Sequence, residues 1–246
     1  MPAKLHSILT PSAVIDRMAA YCARELREFA AFLARPRRAK HVRSTTREFV
    51  NRVAFFFLAT LLVNLTVSLL VNLIASGAGI QRKNILEAGI FMNVAGIAVL
   101  VPVIEELVFR AGLRTAVWNL LVIPLFVLAM VGGLAVFACA AAILVAIVAV
   151  MAWRARNAGL KRKMARDFIR NYPRIFFLNC FLFGIVHVTN FEFVGTQAAL
   201  AFILVLPMTL GATVLGYLRM RDGLGSSIYL HGLNNLLAVG LLLAMR

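Results

Sequence analysis

Acidic side chains are scarce in this chain, ten against 26 Lys and Arg in 246 residues, and charged residues of both signs amount to only 15%. A soluble globule of this size is normally about 25% charged, so there is too little charge here to clothe one. Three cysteines, Cys22, Cys139 and Cys180, stand far apart with no CxxC among them, which excludes a disulfide framework and a thiolate metal site. An HExxH zinc pair is missing, as are internal repeats and low-complexity tracts. The opening MPAKLHSILTPSAV lacks the continuous apolar core and small-residue cleavage site of a signal peptide, so the N-terminal segment is expected to be retained.

What the chain has instead is apolar length. Hydrophobic residues make up 62% of it, and several nearly uncharged stretches reach about 20 residues, enough for a helix to cross a hydrocarbon core of about 30 Å. Lipid is therefore its expected solvent, and the fold class is all-α: a polytopic transmembrane helical bundle of about 6–8 spans. The formal charge of +16 does not point to nucleic acid, because the basic residues gather in blocks flanking apolar segments. Residues 1–52 hold eleven basic and four acidic side chains, and residues 154–174 hold eight basic ones against Asp167. Both blocks are expected on the cytoplasmic side, which places the N-terminus inside a plasma (inner) membrane, with anionic headgroups within reach.

Two parts are expected: a basic segment over 1–52 and a membrane domain over 53–246. Within the first, Ile15, Met18, Cys22, Leu26, Phe29 and Leu33 recur at helical spacing between Pro11 and Pro36, predicting an amphipathic helix on the membrane surface or against the protein's own helices. Spans are expected near 53–75, 85–104, 175–191, 194–218 and 224–245, with a basic loop over 154–174. The uncharged run 120–152 is too long for one span and is broken by Pro124 and Gly132-Gly133, so it holds two passes or a re-entrant piece. Thr60, Asn64, Ser68, Asn72 and Ser76 repeat at intervals of four, predicting one polar face of interhelical hydrogen bonds on the first span.

An ionised side chain at the centre of a bilayer helix costs about 2.5–3.5 kcal/mol, so each one needs a partner, water or a function. Few are present: Glu105, Glu106, Arg110, His187 and His231, with Asn234 and Asn235 beside the last. Glu106 and Arg110 lie four apart on one helix face, whereas Glu105 is rotated about 100° away and stays free to react. His187 falls near the middle of its span, and His231 and Asn235 again share a face. Taken singly, these are an interfacial charge cluster and ordinary bundle histidines; jointly, on three helices, they favour one polar cavity. Their chemistry suits peptide-bond hydrolysis, with Glu105 as general base on a water held by His187, and His231 and Asn235 as donors to the tetrahedral oxyanion. Ser226 and His231 are five apart on one helix, which does not build a serine–histidine site.

These residues, EELVFR, FGIVH and HGLNN in that order, resemble the CPBP family of intramembrane proteases, which contains the CAAX prenyl endopeptidases and bacteriocin-immunity proteins. The resemblance covers residues 86–246 and implies an intramembrane endopeptidase acting on a membrane-associated or lipid-tethered polypeptide. Glu105 and His187 would activate water, His231 and Asn235 would form the oxyanion pocket, and Glu106 with Arg110 would support the first motif. A divalent metal such as zinc is left open by the resemblance, with Glu105, His187 and His231 as its ligands if one is bound. Two other classes compete: a non-proteolytic immunity or regulatory protein that keeps the fold, and a proton-coupled transporter. The sequence departs from the family pattern in Ala111, which precedes Gly112 where the family commonly has glycine directly after the arginine. It departs also in about eighty residues between Glu106 and His187, so that 115–174 reads as an insertion containing a helical hairpin over 120–131 and 134–153.

Overall fold

The computed structural model describes residues 10–38, 44–82, 96–114 and 158–244, with isolated positions between 123 and 152. The expected hairpin over 120–153 and the first half of the expected 85–104 span lie largely outside the described residues. Two compact units are present, Met1–Arg35 and Pro36–Arg246. The first is essentially α1 (Pro11–Ala34), which starts at Pro11 with Thr10 as its N-cap; the Thr10 hydroxyl accepts from the Ala13 amide.

In the second unit, α2 runs from Thr46 to Gly77 and begins seven residues before the expected Val53. The reason is a capping box: the Thr45 hydroxyl accepts from Glu48 N at 3.3 Å, and the Glu48 carboxylate accepts from Thr45 N at 2.8 Å. The polar stripe does not form one continuous face. Four residues advance a helix by about 400°, so each step drifts about 40° from the last. Thr60 is accordingly buried while Asn72 and Ser76 are exposed, and the inward face is Val53, Phe56, Thr60, Val71 and Ala75.

Gln81–Arg82 (β1) pairs antiparallel with Phe191–Glu192 (β2), a two-residue ladder that seals one end of the unit over Val71, Ala75, Ile80 and Leu204. A π-helical turn, Gly96–Leu100, leads directly into α3 (Val101–Phe109), which tightens into a 3-10 turn at Ala111–Arg114. The block expected as a basic loop contains a helix, α4 (Ala158–Arg170), because Met164 and Phe168 recur four apart and Phe168 is buried edge-on to Tyr172, 5.7 Å between centroids.

Helix α5 (Tyr172–Val186) follows and ends at His187, where a 3-10 turn continues to Asn190. The single span expected over 194–218 is broken into a 3-10 turn (Gly195–Leu200), a one-turn α6 (Ala201–Leu204) and α7 (Leu206–Arg221). Pro207 explains the break: it has no amide hydrogen, and its ring would meet the carbonyl four residues back, so it is tolerated only in the first turn of a new helix. Gly223, at φ 106°, turns the chain into α8 (Leu224–Ala244), a backbone conformation that side-chain-bearing residues rarely adopt. That turn is fastened to the start of α2 by Arg52, whose guanidinium donates to both Asp222 oxygens at 2.7 and 2.9 Å with both groups buried.

Helices α3, α5, α7 and α8 form the part of the bundle that carries the motifs, and small residues let them approach closely. A methyl group on Gly216 would strike Phe176 of α5, and one on Gly184 would strike Thr209 of α7. Two of the described helical segments, Thr46–Gly77 and Tyr172–Asn190, are long and apolar enough to cross a membrane. Large apolar side chains such as Leu62, Leu65, Leu69 and Leu73 remain exposed along α2.

Candidate active site

The first motif occupies the last turns of α3. Glu106 is fully buried and sits between an arginine and a histidine: Arg110 Nε lies 3.5 Å from one carboxylate oxygen, and His231 Nδ1 lies 3.0 Å from the other. The i,i+4 pairing read from the sequence is thus present, but Glu106 has a second partner on α8. Because an ionised carboxylate only accepts, His231 Nδ1 carries the hydrogen of this bond, and Glu106 fixes the ring's orientation.

Glu105, one residue earlier, points to the other edge of the same ring. Its Oε2 is 3.5 Å from His231 Nε2, too long for a good hydrogen bond, and has no hydrogen-bond partner among the described residues. Its side chain also keeps 16% of its surface exposed, against none for Glu106. Of the two neighbouring carboxylates, Glu105 is therefore the one that a water can reach.

His187 is not in the middle of a span, as its sequence position predicts, but at the C-terminal end of α5. Its Nδ1 lies 2.8 Å from Phe183 O, and the Thr189 hydroxyl donates to Val186 O at 2.8 Å, so both side chains satisfy carbonyls that the ending helix leaves open. A carbonyl only accepts, so Nδ1 carries the hydrogen and Nε2 keeps its lone pair. Both the Glu105 carboxylate and the His231 ring are near enough to act on His187 electrostatically.

Phe183 joins these groups. Its ring centroid is 4.8 Å from that of His187 and 5.8 Å from that of His231, and the Arg110 guanidinium lies over it at 4.0 Å. Phe183, the first residue of the FGIVH motif, is the apolar wall shared by both histidines and a cation–π seat for Arg110. That seat replaces hydrogen bonds: the guanidinium nitrogens of Arg110 have none among the described residues.

Asn235 does not stand free beside His231. Its Nδ2 donates to Ile97 O at 3.0 Å, in the π turn before α3. A π turn holds more residues than an α turn and directs carbonyls out of the usual ladder, and one of these is what Asn235 meets. One turn of α8 away, Gly232 sits against Ala98 O, where a β-carbon would come within 2.9 Å. The carboxamide bond and the missing side chain together dock α8 on the π turn. Asn234 faces α2, where Thr60 Oγ1 lies 3.4 Å from its Oδ1. Other polar groups were not legible as site supports. Asn179 donates to Phe109 O at 2.9 Å and Arg219 to Arg110 O at 3.1 Å, and both thereby hold the end of α3. Ser226 donates to Leu218 O and Gly223 O, a structural assignment that leaves its hydroxyl away from His231.

Among the described residues no three His, Cys, Asp or Glu side chains form a set that could hold a metal ion. His187 and His231 each commit Nδ1 to a protein acceptor, and a histidine held in that way keeps Nε2 for a further partner.

Residues 87–237, more than half of the chain and inclusive of every motif residue, match the Type II CAAX prenyl endopeptidase Rce1-like family. The chain belongs to that family. Together with the apolar helices, membership makes it a membrane protein of the CAAX-protease type. The matched residues extend across 115–174, and they exclude the N-terminal unit. Neither the curated proteins nor the solved structures give a significant match.

Proposed function

We propose that this Rce1-like protein is an intramembrane endopeptidase that hydrolyses a peptide bond in a membrane-associated or lipid-tethered polypeptide, using a water activated by Glu105. The observation that carries this reading is the different treatment of two adjacent carboxylates around one imidazole. Glu106 is sealed between His231 and Arg110, whereas the Glu105 side chain keeps part of its surface open to water.

In the reaction, the lone pair on His187 Nε2 accepts a hydrogen bond from the water, and Glu105 takes the water's other proton as its oxygen attacks the scissile carbonyl carbon. The new C–O bond forms while the carbonyl π pair moves onto oxygen. A protonated His231 Nε2 and the second N–H of Asn235 Nδ2 donate to that oxyanion; Glu106, with Arg110 behind it, stabilises the His231 cation in the manner of a triad carboxylate. Collapse re-forms the carbonyl and breaks the C–N bond, and the departing nitrogen receives the proton from Glu105. A positioned general base contributes about 10²–10⁴-fold and each oxyanion donor about 10²–10³-fold. No step is routed through a metal.

The remaining parts of the proposal concern placement. The bundle crosses a bacterial inner membrane about 6–8 times with its N-terminus in the cytoplasm, in accord with the basic blocks at 1–52 and 154–174. Helix α1 lies in the headgroup region as an amphipathic helix, 115–174 is an inserted piece of the protease domain, and the partners are lipid and a polypeptide substrate.

The test is cleavage of a prenylated, C-terminally CAAX-like peptide by the full chain in proteoliposomes, run in ¹⁸O-labelled water. Hydrolysis puts one ¹⁸O into the new carboxyl group, and Glu105→Gln abolishes it. Substrate processing in cells that survives Glu105→Ala and His187→Ala would instead assign the chain to the immunity or regulatory class, and proton-gradient-driven uptake would assign it to the transporters.

A further inference from the structure

Behind the active site, where the 3-10 turn after α3, the start of α5 and the end of α7 meet, lies a group of cations that the hydrolytic reading does not use. Arg38, Arg114 and Arg219 act electrostatically on the Tyr172 hydroxyl, and Arg114 acts on Arg219 in the same way. Burial, then the Arg38 charge, holds the Arg114 guanidinium below its ordinary pKa, so these cations repel one another. None of the three belongs to an ion pair among the described residues.

Arg38 is exposed and Arg114 and Arg219 are half-buried, and like charges gathered in this way without an ion pair favour an anion that completes the set. The orphaned donors mark where it would sit. Tyr172 is 1% exposed, and among the described residues its hydroxyl has no hydrogen-bond partner; Arg114 Nε and Nη2 are buried atoms equally without one. Tyr172 is also the first residue of α5, whose N-terminal amides add positive potential there.

We propose that Arg38, Arg114, Arg219 and Tyr172 form a binding site for the phosphate of an anionic lipid headgroup. A guanidinium fork matches phosphate oxygens, and a phenol supplies the further donor. A lipid is favoured over a soluble anion because exposed apolar side chains, Ile169, Phe177 and Leu178, flank Tyr172 along the chain and offer an acyl chain a seat beside the headgroup site. The basic helix α4 leads into the same place. Arg219 also donates to Arg110 O, so the occupant would brace the end of the helix that carries Glu105 and Glu106.

The experiment is native mass spectrometry of the full chain released from micelles doped with phosphatidylglycerol, phosphatidylcholine or inorganic phosphate, a readout that does not depend on proteolysis. The wild type is expected to retain phosphatidylglycerol about tenfold over phosphatidylcholine, the equivalent of one charge-assisted contact. Arg114→Gln and Arg219→Gln together should bring the ratio to about one. Tyr172→Phe, which keeps the shape and is the safer variant for folding, should lower it about threefold, and Arg162→Gln with Arg166→Gln on exposed α4 should leave it unchanged. Equal retention by wild type and the Arg114/Arg219 variant overturns the proposal. So does a loss as large in the α4 variant, which would mean diffuse attraction. Full displacement by millimolar phosphate would make it a free-anion site, and displacement by a peptide with a free carboxylate, but not by its amide, would make it a substrate subsite; either result overturns the lipid assignment.

Discussion

Two sets of polar residues at four-residue spacing meet opposite fates in this protein. On α2 the five-member series from Thr60 to Ser76 scatters, with Thr60 buried against α8 and Asn72 and Ser76 exposed. On α3, α5 and α8 the pairs Glu106/Arg110 and Phe183/His187 hold together, His231 joins both, and Arg110, His187 and His231 close around the Phe183 ring. A 40° drift is harmless over one step and ruinous over four. A short pair is thus a better guide to a shared face than a long stripe, and what turns pairs into a site is tertiary contact between helices.

The contrast makes graded predictions. Replacing His231 with Ala should have the largest effect outside Glu105, because a carboxylate oxygen of the sealed Glu106 then loses its hydrogen bond. A loss of about 3–5 kcal/mol is expected, together with cleavage, seen as a thermal unfolding midpoint well below that of the wild type. A wild-type midpoint would mean that the Glu106–His231 bond does not hold the helices. Next, Gly232→Ala should push α8 off the π turn at Ala98 O, costing about 1–3 kcal/mol and reducing turnover more than substrate affinity. Within the α2 series, Thr60→Val should cost about 1 kcal/mol through its lost bonds to Phe56 O and Asn234. Asn72→Leu and Ser76→Leu should fall within about 0.5 kcal/mol of wild type. Equal costs along the series would restore the continuous face and break the comparison.

The sequence made legible what depends on local spacing: the helical class, the limits of α1 and α8, and which motif residues pair within a turn. It concealed what depends on the meeting of elements. Glu106 reads as Arg110's partner alone because His231 lies 125 residues away. His187 reads as mid-span because its surroundings are uniformly apolar, and nothing local marks the point where its own ring takes over a terminal carbonyl. Pro207 did carry a signal for the break in the 194–218 run, and Met164 with Phe168 one for α4; the surrounding hydrophobicity and basic charge outweighed them. The π turn had none, since its role appears only when Asn235 and Gly232 press against it.

The central claim is that adjacent glutamates do different work. Cleavage rate and unfolding midpoint of Glu105→Gln and Glu106→Gln, measured in the same proteoliposomes, test it most directly. The Glu105→Gln protein is expected to be as stable as the wild type with a rate at least about 10²-fold lower, and the Glu106→Gln protein to lose stability as well as rate. Unchanged processing by Glu105→Gln, or a loss of stability equal to that of Glu106→Gln, would contradict it.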